Sequence, residues 1–326
     1  MTITGAAPIA AELRLTLDSG EHARLRSLAG QLADTPPALV DDDKWVAAAM
    51  ALSAHVPARV RDIVRDFKSD PGRAGTLLLH NLPVGENLPP TPVVHESVER
   101  RATVAAATQM LLALQLGEVI AYREEKHGAL VQNVVPVPGH ERRQSNAGSV
   151  PLELHVENAF HPHRPDYVAL LCLRPDPTGS ARLIASCVRQ ATALLPVPVL
   201  RVLGQSRFTT QAPPSFVHGG AGAPHPVLAG APEDPDVVVD FHATTGLDSL
   251  ASEALAQLRW ALTEVAQAIA PQRGDLVVLD NRLTIHGRTG FDPRYDGTDR
   301  WLHRTFVHLD HRRSRASRPG NGRVLV

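Results

Sequence analysis

Apolar residues follow two rhythms along this chain, helical spacing in the first third and short runs broken by Pro and Gly after it. Residues 21–32 are rich in Ala, Leu and Arg, and Asp41, Asp42 and Asp43 offer N-caps and dipole-matched charge ahead of an apolar segment over 45–55. A helical lead-in over about 9–70 is expected. The run 75–83, bracketed by Gly75 and Pro83, fits a buried strand, and a turn follows at Pro89, Pro90 and Pro92. Residues 97–116 carry Ala, Val and Leu at helical spacing, with Gly117 placed to end the helix. From Ala129 the texture changes. Strands are expected at 130–136, 149–155, 167–173, 183–188, 237–241, 276–279 and 304–309, interrupted by one helix over 249–270 that packs outside them. Residues 211–230, rich in Pro, Gly and Ala, have no periodicity and read as a lid loop. Many short strands with turn signals indicate an α+β, mainly β fold, a sandwich or jelly roll flanked by helices, in a single domain over 1–326.

Composition narrows the partners more than the fold. With 43% hydrophobic residues the 326-residue chain can fill a sizeable core, and 33 Lys+Arg against 34 Asp+Glu leave a formal charge of −1. That balance gives no global attraction to nucleic acid or to an anionic membrane. Cys172 and Cys187 lack a CxxC or His-rich neighbourhood and read as core thiols of a reducing compartment. The N-terminus shows no basic region with a long apolar run, and no run approaches the length of a membrane span. A soluble, cytoplasmic protein acting on a small molecule is the expectation.

The candidate chemistry begins at Leu154-His155-Val156-Glu157-Asn158. Two potential metal ligands stand two apart at the end of an expected strand, where alternate side chains share a face. His286 would complete a 2-His-1-carboxylate triad, which leaves three positions open and is diagnostic of non-haem Fe(II) oxygenases. Among 16 histidines the pair alone arises readily by chance, but its strand-end position suits a barrel rim. His161 and His163 are rival ligands; they lie beyond Pro162, and a further histidine would close a site that oxygen must enter, so they read as rim or substrate-lining residues. Arg300 follows His286 by fourteen residues. Its planar fork of donors suits the far carboxylate of a metal-chelating 2-oxo acid. The alternative for Arg300 is a surface ion pair with Asp296 or Asp299, which the neighbouring Trp301, Leu302 and Phe306 disfavour.

The stretches from His155 to His161 and from Tyr167 to Arg174, Asp280-Asn281-Arg282 with His286-Gly287-Arg288-Thr289, and the stretch from Pro293 to Leu302 resemble the clavaminate-synthase-like family of Fe(II)/2-oxoglutarate oxygenases. Within it the likeness is to the bacterial asparagine oxygenases that β-hydroxylate free amino acids. The resemblance implies a double-stranded β-helix core over about 75–313, with His155, Glu157 and His286 as iron ligands and Arg300 on the C5 carboxylate of 2-oxoglutarate. Fe(II), 2-oxoglutarate and O2 are the implied cofactor and cosubstrates. Glu125 matches the position where relatives hold a substrate amine, and Gln132 and Asn146 match polar positions of the same pocket. The alternative for the Glu124-Glu125-Lys126 cluster is a solvated loop.

A zwitterionic substrate needs a cation and an anion near the metal. Arg304 lies four residues beyond Arg300, on the same strand face at about 13 Å, and would take the substrate carboxylate. Asp240 ends an expected strand and could accept from a substrate amide or guanidinium while repelling a carboxylate. Where arginine oxygenases of the family tend to place a second acid two positions on, this chain has His242. The expectation is therefore C3 hydroxylation of free L-asparagine or a similar neutral polar amino acid, in a specialised-metabolite or nonribosomal-peptide pathway. L-arginine, citrulline, lysine or a carrier-tethered amino acid are the alternatives, and a non-catalytic cupin-like binding protein is the rival from another class.

Overall fold

In the long central strands both faces are apolar, and alternate residues enter different cores. Tyr167, Ala169, Leu171 and Leu173 join one cluster with the N-terminal helices, whereas Val168, Leu170 and Cys172 join a second cluster inside the barrel. Leu276 and Val278 divide from Val277 and Leu279 in the same way. A period of two with both sides buried produces the unbroken apolar runs seen in the sequence.

The computed structural model describes residues 7–8, 13–216 and 222–326. In chain order its elements are β1 (Ala7–Pro8), β2 (Leu13–Thr16), α1 (Ser19–Ala33), α2 (Asp43–Ser53), α3 (Ala58–Ser69), β3 (Thr76–His80), α4 (Val104–Leu116), β4 (Glu118–Tyr122), β5 (Gln132–Val134), β6 (Leu152–His155), β7 (Tyr167–Arg174) and β8 (Leu183–Cys187). They continue with α5 (Val188–Ala191), α6 (Val197–Leu203), β9 (Phe208–Thr210), β10 (Leu228–Ala231), β11 (Asp234–Val237), β12 (Thr244–Gly246), α7 (Ser249–Glu264), β13 (Gln267–Ile269), β14 (Leu276–Asp280), β15 (Thr284–Arg288), β16 (Trp301–His308) and β17 (Val324–Leu325).

Two sheets face each other as a jelly roll. The larger runs β17-β4-β16-β7-β14-β3-β2, with β5 also paired to β16, and the smaller runs β1-β13-β8-β15-β6. Helices α1 to α4 cover the outer face of the larger sheet, and α5 to α7 cover the smaller. The helix starts follow cap chemistry. Asp18 and Glu21 form a capping box at α1, Asp42 accepts from Lys44 and Trp45 at α2, and Thr103 and Asp248 cap α4 and α7.

Several expected boundaries move. The lead-in is not helical from its start, because Leu13–Thr16 is a strand paired in parallel with β3, and helix begins only at Ser19. Residues 97–102 are not helical: Glu99 donates its N–H to the Val131 carbonyl, and the cap that starts α4 is Thr103. The helix expected over 249–270 stops at Glu264, after which Gln267–Ile269 pairs with β8, a short apolar segment whose period fits either state. Only Asp234–Val237 of the region around 237–241 is regular strand, with Asp240 reaching His155 through an isolated bridge. The expected lid over 211–230 contains the start of the β10-β11 hairpin, and its residues 217–221 lie outside those described. Both cysteines are buried free thiols, their acidity suppressed by burial to pKa values of about 12 for Cys172 and about 11 for Cys187. Among the described residues no helix is long and apolar enough to cross a membrane.

Candidate metal centre and substrate pocket

The inner face of the smaller sheet departs from the apolar rule. Leu154 and Val156 turn outward into the cluster under α7, so His155 and Glu157 turn inward; on β15, Ile285 turns outward and Thr284, His286 and Arg288 turn inward. His286 pairs with His155 across the β15-β6 ladder, but Arg288 pairs with Leu152, so β6 carries one extra residue just before the histidine. The bulge brings backbone close to β15. A Cβ on Gly287 would lie 2.5 Å from the Leu152 carbonyl oxygen, which leaves room only for glycine.

His155, Glu157 and His286 each offer a ligand atom, and these atoms lie within 4.8 Å of one another. The His155 Nδ1–H donates to the Glu153 carbonyl at 2.8 Å, which fixes the tautomer and leaves Nε2 as the free lone pair. His286 Nε2 is 3.4 Å from Glu157 Oε2, and that oxygen has no hydrogen-bond partner although it is buried. Two imidazoles and one carboxylate converging on an orphaned oxygen fit a divalent iron with an open coordination face. His161 and His163 fall outside the group: His161 stacks edge-on to Tyr122 at 4.8 Å and accepts the His163 backbone N–H at 3.0 Å. Burial, with His163 nearby, lowers the His161 pKa to about 4.

Asn281 fixes the backbone that carries the candidate ligand Glu157. Its Oδ1 accepts the Glu157 N–H at 2.7 Å, and its Nδ2 donates to the carbonyls of Glu157 (3.1 Å) and Pro165 (2.9 Å). Asn158 adopts the left-handed backbone (φ 53°) that asparagine tolerates, turning the chain away immediately after the ligand pair.

Next to Glu157 lies a buried charge network. Arg304 donates from Nη1 to Glu157 Oε1 at 2.6 Å, from Nη2 to Glu125 Oε1, and from Nε and Nη2 to Gln132 Oε1 at 3.0 and 2.5 Å. Asn158 Nδ2 adds a 3.3 Å bond to Glu125 Oε2. Burial opposes ionisation of Glu157, but Arg304 and the two histidines outweigh it and hold the carboxyl well below the usual range. At Glu125 burial wins, reinforced by the charge of Glu157, and its pKa is raised despite Arg304. Glu125 is thus part of this charge network and not of a solvated loop. Lys126 and His127, in left-handed backbone (φ 49° and 55°), form the turn beside it.

Asp240 stands one bridge from His155, its Oδ1 accepting the His242 N–H at 2.8 Å and its own N–H donating to Thr244 Oγ1 at 2.9 Å. Asn146 is half-buried in the loop before β6, and no hydrogen bond joins it to this network among the described residues. Arg300 is buried, and its Nη1 has no partner. The surface pairing does not form, because Asp299 is occupied by the N–H groups of Arg294 and Tyr295 and Asp296 by Thr298. Sequence reasoning assigned no role to Asn281, Asn158 or Arg288; a polar residue directly after a buried strand was the available signal for Asn281.

Residues 232–306 match the family described as Taurine catabolism dioxygenase TauD, TfdA family. Over its whole length the chain is 47% identical to L-asparagine oxygenase of Streptomyces coelicolor, covering 98% of that protein. It is 35% identical to L-lysine 3-hydroxylase of Catenulispora acidiphila (95% of this chain, 88% of that one) and 32% identical to clavaminate synthase 2 of Streptomyces clavuligerus (88% and 89%). The fold superposes on the crystal structure of asparagine oxygenase in complex with Fe(II), 2S,3S-3-hydroxyasparagine and succinate with a TM-score of 0.94 at 47% identity, covering 96% of this chain and 98% of that one.

Proposed function

Because the chain belongs to the TauD/TfdA family of Fe(II)/2-oxoglutarate-dependent oxygenases, as do its relatives asparagine oxygenase and clavaminate synthase, we propose that it hydroxylates C3 of a free L-amino acid, with L-asparagine the preferred substrate. The observation that carries the substrate class is the Arg304 fork, held between Glu157 and Glu125 beside the metal triad. A cation and an anion side by side next to the reacting centre fit the carboxylate and ammonium of a zwitterion.

In this reading His155, Glu157 and His286 hold Fe(II). When bound, the iron with 2-oxoglutarate and O2 supplies the oxidant that places oxygen in a C–H bond, succinate and CO2 being the other products. The chain's residues determine which bond is exposed to it. Arg300 meets the distal carboxylate of the cosubstrate. Arg304 turns from Glu125 to the substrate carboxylate, and Glu125, released from that pair, takes the ammonium. Exchanging one buried ion pair for two involving the ligand keeps every charge compensated as water leaves. Asp240 accepts from the side-chain amide, and Gln132 and Asn146 complete the pocket wall. The chain acts as one unit, and the expected lid contributes Phe216, which packs against Phe160 at 4.7 Å.

Purified protein supplied with Fe(II), ascorbate, 2-oxoglutarate and a panel of L-amino acids is expected to form succinate and a product one oxygen heavier, most rapidly with asparagine. Succinate at background with every amino acid overturns the free-substrate reading. A longer basic side chain is the second reading, favoured by the likeness to the lysine 3-hydroxylase and by the ability of Asp240 to receive an ammonium. Preference for lysine over asparagine in the same panel would select it.

A further inference from the structure

The barrel interior holds a second buried arginine without an anion. Arg288 follows the metal-triad residue His286 by two positions on β15, and the regular register of β15 against β8 keeps both on the inner face. Its Nη2 donates to the Val150 carbonyl at 2.8 Å, and its guanidinium lies 4.9 Å from the centroid of the Phe291 ring. Its Nε, however, is buried and unpartnered, as is Arg300 Nη1 on the opposite sheet. Neither arginine makes an ion pair among the described residues, although Arg282 and Arg304 in the same barrel each bridge two carboxylates. Both side chains are withdrawn from water, Arg288 at 4% and Arg300 at 6% exposure, and the positive charge of Arg300 acts on Arg288. Two mutually repelling cations, each with an orphaned N–H, form a site that a dianion's free carboxylate would complete.

We propose that Arg288 is a second cation for the distal carboxylate of the 2-oxo acid, acting with Arg300. The assignment rests on the function proposed above and adds a residue to it. Arg300 reaches the carboxylate from the larger sheet and Arg288 from the smaller, so the cosubstrate ties the two sheets together at the level below the metal. Arg288 also discriminates: a 2-oxo monoacid leaves both guanidiniums unpaired.

The test is anaerobic titration of the Fe(II)-loaded full-length protein with 2-oxoglutarate and, separately, with 2-oxovalerate, which has the same chain length without the distal carboxylate. The visible absorption of the iron chelate reports binding. Wild type, R288Q, R288K and R300Q are compared. R288Q is expected to weaken 2-oxoglutarate by roughly tenfold to a hundredfold, the range for one charge-assisted pair, while leaving 2-oxovalerate within about twofold. R288K is expected to fall between R288Q and wild type for the diacid. The ratio of the two affinities is read within each variant, so partial loss of folded protein does not alter it. Equal weakening of both oxo acids, or no weakening of the diacid, overturns the role of Arg288 alone. A wild-type protein that gives no chelate band overturns both the role and the reading beneath it.

Discussion

Two regions of one barrel handle buried charge in opposite ways. Around Glu157 each charge meets an opposite one: Arg304 bridges Glu157 and Glu125, and Gln132 Oε1 accepts from its Nε and Nη2. Around Arg300 the charges stand unmatched, with Arg288 buried in the same barrel and an N–H of each without a partner. A matched network keeps its shape before a ligand arrives and asks the ligand to exchange partners. An unmatched one is a standing electrostatic cost that an anionic ligand removes. The first suits a zwitterion, which carries no net charge, and the second suits a dianion.

The contrast can be broken at its centre. His155→Ala removes a triad member, and succinate formation is expected to fall by roughly a thousandfold or more, with iron retention on a desalting column falling alongside. The two regions should then differ in the sign of their response to charge removal. Arg304→Met strands Glu125 and Glu157 together in the interior and is expected to cost about 3–5 kcal/mol in urea unfolding without cosubstrate, whereas Arg300→Met should be neutral or stabilising under the same conditions. Equal losses would show that both regions are matched. Adding Fe(II) and 2-oxoglutarate at about a hundred times the dissociation constant should stabilise wild type by about 2.7 kcal/mol, and R300Q at the same concentrations by much less. Asn281→Ala removes the clamp on Glu157 and leaves a buried N–H and two carbonyls short of a partner, an expected loss of about 1–3 kcal/mol with iron affinity reduced.

The smallest effect lies outside both regions. His161 is favoured as the neutral ring in the folded protein, its pKa lowered to about 4 by burial. Its contribution to stability is complete above about pH 6.5, the unfolded value, and is lost as pH falls from there towards 4. His161→Phe should flatten that part of the stability profile in thermal melts and leave the two charged regions unchanged.

How much of this was legible depended on whether a segment obeyed one rule or two. The strands Tyr167–Arg174 and Leu276–Asp280 read clearly because both faces are apolar. Strand Thr284–Arg288 did not, because its inner positions Thr284, His286 and Arg288 are polar, His286 for the site, and break the pattern that marks a buried strand. Function therefore hid the element that carries it. The triad was legible from residue type and spacing, with His286 supplied from 129 residues beyond Glu157. Arg304 and Glu125 were expected to meet a substrate, but their pairing with each other depends on β16 and the loop after β4 coming together, which local spacing does not encode. The start of α4 moves for a related reason: residues 97–102 have helical composition, but their backbone groups bond to Val131 and Asn133 on one side and to Ala38 and Val40 on the other.

The bulge in β6 turns β15 into a ruler. His286 and Arg288 sit on the same inward edge, their Cα atoms separated by two strand residues, about 6.6 Å at the usual rise. A metal held at the first mark and a carboxylate received at the second are spaced by peptide pitch, which no side-chain substitution alters. On the proposed reading, the length of the oxo diacid is thus gauged by backbone, and a diacid one methylene longer would overrun the mark. The choice of amino acid rests on side chains that mutation can exchange singly. The same barrel could then change its substrate many times while keeping one cosubstrate.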